Sequence, residues 1–209
     1  TDPERLRDQA ELMGNLVIDA VKASRPFEMN PKRSAEVNVL MTRMAAEMGL
    51  GDELIRPSIG IKPKIMVILD NANGNDARTG YFMENGYDDF KAKLLVSGDL
   101  RMGDLYVTGV CKKVKDKEKD YTKDEIGQFI DFMREEINLV RPTYVLTCGS
   151  RATSLFNNKS KPSDLVGRKE YLPDLDVTVF YGFNPNILYF RPEEGEKLEA
   201  ILAEVAETI

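Results

Sequence analysis

The chain changes hydrophobic rhythm about a quarter of the way along. Over the first fifty residues, apolar side chains return every three or four positions. Leu6, Met13, Leu16, Val17, Ala20 and Val21 make one such stripe, ending before the stretch 24-SRPFEMNP-31. Val37, Leu40, Met41, Met44 and Met48 make a second, between Pro31 and Leu50. A period near 3.6 buries one face of a helix, so two helices are predicted, the second stopped at Gly49 or Gly51. Its methionines read as core, because Met fills irregular gaps.

The segment 56-RPSIGIKPK-64 reads as a linker from its Pro and Gly content. Beyond it, β-branched runs alternate with helical stripes. Lys64–Asp70 is nearly all apolar and predicts a strand buried on both faces. Further strands are predicted at Leu105–Val110, Thr143–Cys148 and Asp176–Tyr181. Helices are predicted at Asp89–Leu95, at Tyr121–Val140, after Gly149-Ser150, and from Pro192 to Ile209. The longest carries Ile126, Phe129, Ile130, Met133, Ile137 and Val140 on one face, and Thr122 with Glu125 forms a capping box.

Strands alternating with helices imply a three-layer α/β/α fold. Its centre is a mainly parallel four-stranded sheet over residues 60–209. Residues 1–55 form an N-terminal helical extension. Ligands of such sheets sit beyond the carboxyl ends of the strands. Those ends are Asp70-Asn71, Gly109–Cys111, Cys148–Arg151 and Gly182–Asn186.

Composition narrows the chemistry. Hydrophobic residues make up 42% of the 209, enough for a core. There is no apolar run of membrane-spanning length and no apolar leader, and no initiator Met is present, which reads as a trimmed chain or a piece of a longer one. Histidine is absent. That removes Ser-His and Cys-His nucleophile pairs, imidazole acid/base work and His-bound metals. Cys111 and Cys148 lack metal-ligand spacing, so neither a metal nor another cofactor is expected. Two thiols without a leader fit a reducing cytoplasm. A net charge of −6 argues against a nucleic-acid-coating protein, and the basic run 112-KKVKDKEK-119 reads as a solvated loop.

The loop sequences, in their order, resemble the uracil-DNA glycosylase superfamily over roughly residues 60–205. The family's first motif, often Gly-Glu-Ala-Pro-Gly and then Thr-Gly-Arg-Pro-Phe, corresponds to Asp70-Asn71-Ala72-Asn73-Gly74 and a shortened Thr79-Gly80-Tyr81-Phe82. Its second strand, of the type VYITNVVKC, corresponds to 105-LYVTGVCKK-113. The stretch 141-RPTYVLTCGSRATSLF-156 is similar to the family's strand that runs into a helix through Gly and Ala. The last motif, His-Pro-Ser, corresponds to Asn184-Pro185-Asn186.

The resemblance implies extrusion of a base into a pocket. There a polar first-motif group places water, an Asn reads the base edge, a His steadies charge on the leaving base, and an aromatic ring stacks on it. Here the first-motif candidates are Asp70 and Asn71, the base-reading position is Gly109, and the His position is Asn184. Phe82 or Tyr81 would be the aromatic, and Pro185 keeps the turn. The cysteines that hold an iron–sulfur cluster in some branches are missing. Each position also has a plainer reading: a turn at 71–76, an amide cap for Asp70, a core plug for Phe82. Ser150 reads as a helix N-cap, and with Arg151 it is also a candidate phosphate contact.

One lost oxyanion-type donor costs about 2.7–4 kcal/mol of barrier. The implied function is therefore a glycosylase-like fold that has lost base excision. It would act as a DNA- or protein-contacting module, within a larger DNA replication or repair polypeptide or linked to a neighbouring domain. The alternative is an active DNA glycosylase with an altered pocket, in which Asp70 or Asn71 positions water.

Overall fold

The four strands predicted from sequence are the parallel centre of a six-stranded sheet. The computed structural model describes the backbone of residues 2–24 and 27–209, and side chains of 2–14 and 27–209. The strands are β1 (Ser58–Ile59), β2 (Ile65–Ala72), β3 (Leu105–Val114), β4 (Tyr144–Cys148), β5 (Lys169–Leu172) and β6 (Val177–Gly182), in the spatial order β1-β3-β2-β4-β6-β5. β3, β2, β4 and β6 are mutually parallel; β1 and β5 pair antiparallel at the two edges. The supposed linker thus supplies an edge strand. Two central strands also run further than predicted, β2 to Ala72 and β3 to Val114. Asp70 and Gly109 therefore lie within strands, as predicted, and Asn71 and Cys111, read as lying beyond the strand ends, are strand residues as well.

Helices cover both faces, so the architecture is α/β/α. They are α1 (Pro3–Ser24), α2 (Pro31–Met48), α3 (Gly74–Ala77), α4 (Asp88–Val96), α5 (Lys123–Val140), α6 (Ser150–Ser154), α7 (Pro162–Leu165) and α8 (Gly195–Thr208). Side chains alternate across β2, as the pleat requires. Met66 and Ile68 join one core with Met41 and Met44 of α2 and Phe129 and Met133 of α5. Ile65, Val67 and Leu69 join the other with Phe90 of α4 and Leu198 and Leu202 of α8. The methionine stripe of α2 is core, as read from sequence.

Local chemistry sets the helix ends. Asn30 caps α2 by accepting from the Arg33 N–H, and Gly49, at φ 64°, ends it in the left-handed conformation that glycine adopts without strain. Thr122 and Glu125 form the expected capping box on α5. The final helix starts later than predicted, because Pro192–Glu194 forms a separate 3₁₀ turn. In α1, Leu6 and Met13 face solvent. Leu16, Val17, Ala20 and Val21 of its stripe lie outside the described side chains.

The basic run at 112–119 is not all solvated. Lys112 is fully buried in β3, with Nζ 2.7 Å from Glu136 Oε1 of α5. Nζ also donates to the Gly109 carbonyl at 2.6 Å, and the Tyr106 hydroxyl donates to Glu136 Oε2 at 2.8 Å. Burial, then the Glu136 charge, pushes the Tyr106 phenol well up from its ordinary value. This ion pair, closed off by hydrogen bonds, fastens α5 to the sheet beside Gly109.

Candidate functional site

Parallel pairing brings the carboxyl ends of the central strands to one edge. Leu69 lies level with Gly109 on one side and Cys148 on the other, and Cys148 lies level with Gly182. The segments leaving β2, β3, β4 and β6 therefore open together.

Asp70 points into the start of α6. Its Oδ1 accepts the Ala152 N–H at 2.9 Å. Gly149 leaves the room: a Cβ there would lie 2.1 Å from Asp70 Oδ2. Burial raises the Asp70 pKa; the Ala152 amide, the Arg151 charge and the Arg151 and Ser150 amides oppose it. The N-cap position belongs to Gly149, and Ser150 is the first helical residue, so the capping assigned to Ser150 is performed by Asp70 from the neighbouring strand. The amides that would meet a phosphate already meet a carboxylate. Arg151 folds back over the edge, with its guanidinium 5.6 Å from the Tyr121 ring centre and Nη1 3.5 Å from Cys111 Sγ. Burial pushes the Cys111 thiol up to about 11. Cys111 and Cys148 are both free and buried, in the cores on opposite faces of the sheet.

Replacing Asp70 by Asn is expected to remove a pH dependence. An acid whose folded-state pKa lies above its ordinary value of 3.8 holds more protons folded than unfolded in the window between the two. Its contribution to stability is therefore lost as pH rises through that window. Urea midpoints across it should show wild type gaining on Asp70→Asn as pH falls; parallel curves would contradict this.

Asn71 is half-buried, and its side-chain amide donates to the Ala72 carbonyl at 2.9 Å. The loop after it is organised by Asp76, which the motif reading passed over. Asp76 is fully buried and accepts from the Asn73 N–H at 2.9 Å, the Met83 N–H at 2.8 Å and the Tyr87 hydroxyl at 3.0 Å. Asn73 and Asp76 form a reciprocal capping box on α3. The signal was in the sequence as a capping residue followed three positions later by an acid. Asp76→Ala is expected to cost about 3 kcal/mol, since each hydrogen bond to a charged group contributes about 1.5–3 kcal/mol. Urea unfolding checks this.

The two aromatic candidates part company. Tyr81 is exposed and faces a groove with Pro57 and Ile59 on the β1 side. Phe82 is fully buried, its N–H donating to the Arg56 carbonyl at 3.0 Å and its carbonyl accepting from Ser58 Oγ at 2.5 Å. Its ring lies against Gly109: a Cβ on Gly109 would come within 2.5 and 2.6 Å of ring carbons. Any larger residue at 109 competes with Phe82 for one space.

Asn184 is turned to structure as well. Its Oδ1 accepts the Asn186 N–H at 3.0 Å and caps the 3₁₀ turn Pro185–Tyr189, with Pro185 buried. Tyr189 ends that turn and Phe190 follows it, 73% and 85% exposed. They border a groove of about 560 Å³ between the α3 loop and this turn, lined also by Asn75, Arg78 and Asn186. Sequence reasoning missed both rings. Their signal was two aromatics followed at once by Arg191-Pro192.

The edge thus holds the Phe82 ring packed on Gly109, polar groups engaged with the backbone, and an open groove with two bare aromatics. Among the described residues, no cluster of three or more His, Cys, Asp or Glu is arranged to hold a metal ion. No described helix is long and apolar enough to cross a membrane.

No family model matches the chain. Its relatives point two ways that agree. The chain is 23% identical over 159 residues to a type-4 uracil-DNA glycosylase of Archaeoglobus fulgidus, a match that covers 72% of this chain and 80% of the glycosylase. With the motifs above, it resembles a divergent uracil-DNA glycosylase-like domain. It is also 97% identical over all 209 residues to a segment of a DNA polymerase III subunit alpha of Yersinia pestis. The chain spans 18% of that polypeptide's length.

Proposed function

We propose that this chain is a glycosylase-like module that contacts DNA without excising bases and is carried within a replication polypeptide. Its α/β domain spans residues 60–209, with residues 1–55 attached as a helical extension. The carrying observation is the Phe82 ring seated on Gly109; on this reading the ring takes the space that a flipped base would need. Asp70 and Asn184, the residues at the water-placing and charge-stabilising positions, are engaged with amides of the chain itself. The 97% match to a segment of a polymerase subunit supports the replication setting and a covalently linked neighbour.

Contact with DNA falls to the open groove. Exposed aromatics stack on bases of either identity and contribute about 1–3 kcal/mol per base. Arg78, which lines the groove, supplies charge toward the backbone. Because the chain carries a net −6, binding should be local and steeply weakened by salt.

Fluorescence anisotropy with labelled single- and double-stranded DNA at low salt tests this. Replacing Tyr189 and Phe190 together by Ala is expected to weaken binding roughly tenfold or more, from the stacking lost. A wild-type chain that binds neither DNA removes the DNA version. Wild-type binding that the double variant retains removes the groove.

A further inference from the structure

The outward face of α2 carries a row of charges that is its own complement when the helix is reversed. Lys32, Glu36, Arg43 and Glu47 follow one another at steps of four, seven and four, which keeps them on one stripe of the helix. Their signs run plus, minus, plus, minus. Read from the other end they run minus, plus, minus, plus. All four side chains are exposed.

A stripe of small and branched residues runs beside the charges. Val37, Leu40, Met41 and Met44 face the core. Ala35, Val39, Thr42 and Ala46 face solvent at steps of four, three and four. That repeat is the seam by which two helices pack. Val39 is 68% exposed and borders a mostly apolar groove of about 660 Å³ between α2 and α5, with Ala35, Leu40 and Leu139. Arg43, on the rim, is held in place by the Glu135 carboxylate of α5 and by the Phe132 ring, 5.5 Å from its guanidinium.

We propose that this face is the interface between two copies of the chain, with α2 packed antiparallel on α2 of the second copy about a twofold axis. Such an interface needs a surface complementary to itself. With the axis between Leu40 and Met41, Val39 comes level with Thr42 of the second copy, and Ala35 with Ala46. Glu36 then lies within two residues of level with Arg43, about 3 Å of rise, and Lys32 lies equally near Glu47. The twofold axis sets each flank of the helix against its own copy, so opposite charges meet at every pair. A parallel pair would bring each charge level with itself and lose this match.

The small side chains of Ala35 and Ala46 let the two axes approach closely. Exposed ion pairs add little affinity; they fix register and orientation, while burial of Val39 and the groove supplies the attraction. The reversed order of signs is what selects a second copy over an unrelated helix.

Sedimentation equilibrium of the full chain at rising concentration tests this. A dimer is expected at the upper end. Lys32→Glu, which sets a carboxylate against Glu47 of the second copy, should weaken association several-fold, and so should Glu47→Lys. The two changes together restore opposite pairs and should return association close to wild type. Lys32 and Glu47 stand about 22 Å apart along one helix, so neither can rescue the other within a single chain. Val39→Glu should weaken association roughly tenfold or more, since it places a charge in the seam. A chain that stays monomeric at millimolar concentration would overturn the proposal. So would a dimer indifferent to Val39→Glu, or single reversals that the double reversal fails to rescue.

Discussion

Lys112→Ala is expected to lower unfolding free energy by about 3–5 kcal/mol, the cost of leaving one partner of a buried ion pair uncompensated. Lys112 and Glu136 are both fully buried, and Lys112 Nζ also holds the Gly109 carbonyl. The change strands the Glu136 carboxylate, leaving it only the Tyr106 hydroxyl as a hydrogen-bond partner. A loss that size is a large share of a typical domain's stability of about 5–15 kcal/mol. Replacing both partners by apolar residues, Lys112→Met with Glu136→Leu, should cost far less than the single change, because no charge is left buried. Urea unfolding of the three chains decides the point. Equal losses in the single and double variants would show that packing, not charge compensation, is what the pair provides.

The second large effect concerns Phe82 and Gly109. Phe82→Ala is expected to cost about 3–5 kcal/mol, as removal of a buried aromatic ring does. Gly109→Asn is expected to cost about 1–3 kcal/mol by overpacking, because its Cβ would meet the ring. Together they should cost clearly less than the sum of the two, since removal of the ring makes room for the amide. Residues in contact commonly couple by about 0.5–3 kcal/mol. Additive losses would mean that the ring and the glycine do not share one space.

Much of the fold was legible because its centre is built of long, periodic segments. β2 is apolar throughout and α5 carries an uninterrupted helical face, so each declared itself without tertiary information. The edge strands did not. β1 is two residues between Pro57 and Pro63, and β5 is the four residues Lys169–Leu172 with alternating exposure. Segments that short have no period to read; their pairing comes from the neighbours β3 and β6. Lys112 was read as solvated because the sequence around it is charged, whereas strand alternation turns it inward to Glu136.

The site was legible as a place but not as an arrangement. Convergence at one edge follows from parallel strands, and the motif order pointed to the same loops. The sequence could report that Gly109 lacks a side chain, but not that Phe82, twenty-seven positions earlier, lies against it. Asp70 likewise meets Ala152 across 82 residues, a pairing set by strand register alone. Tyr189 and Phe190 belong to no motif, and their exposure comes from the fold, at the end of the turn that Asn184 caps.

Incubation of the pure, full chain with single- and double-stranded DNA bearing uracil, hypoxanthine, xanthine or a mismatched thymine tests the proposed loss of base excision most directly. Abasic sites are the readout. The expected result is DNA with no abasic sites above the enzyme-free control. Excision of any of these bases, abolished by Asp70→Ala, would contradict it.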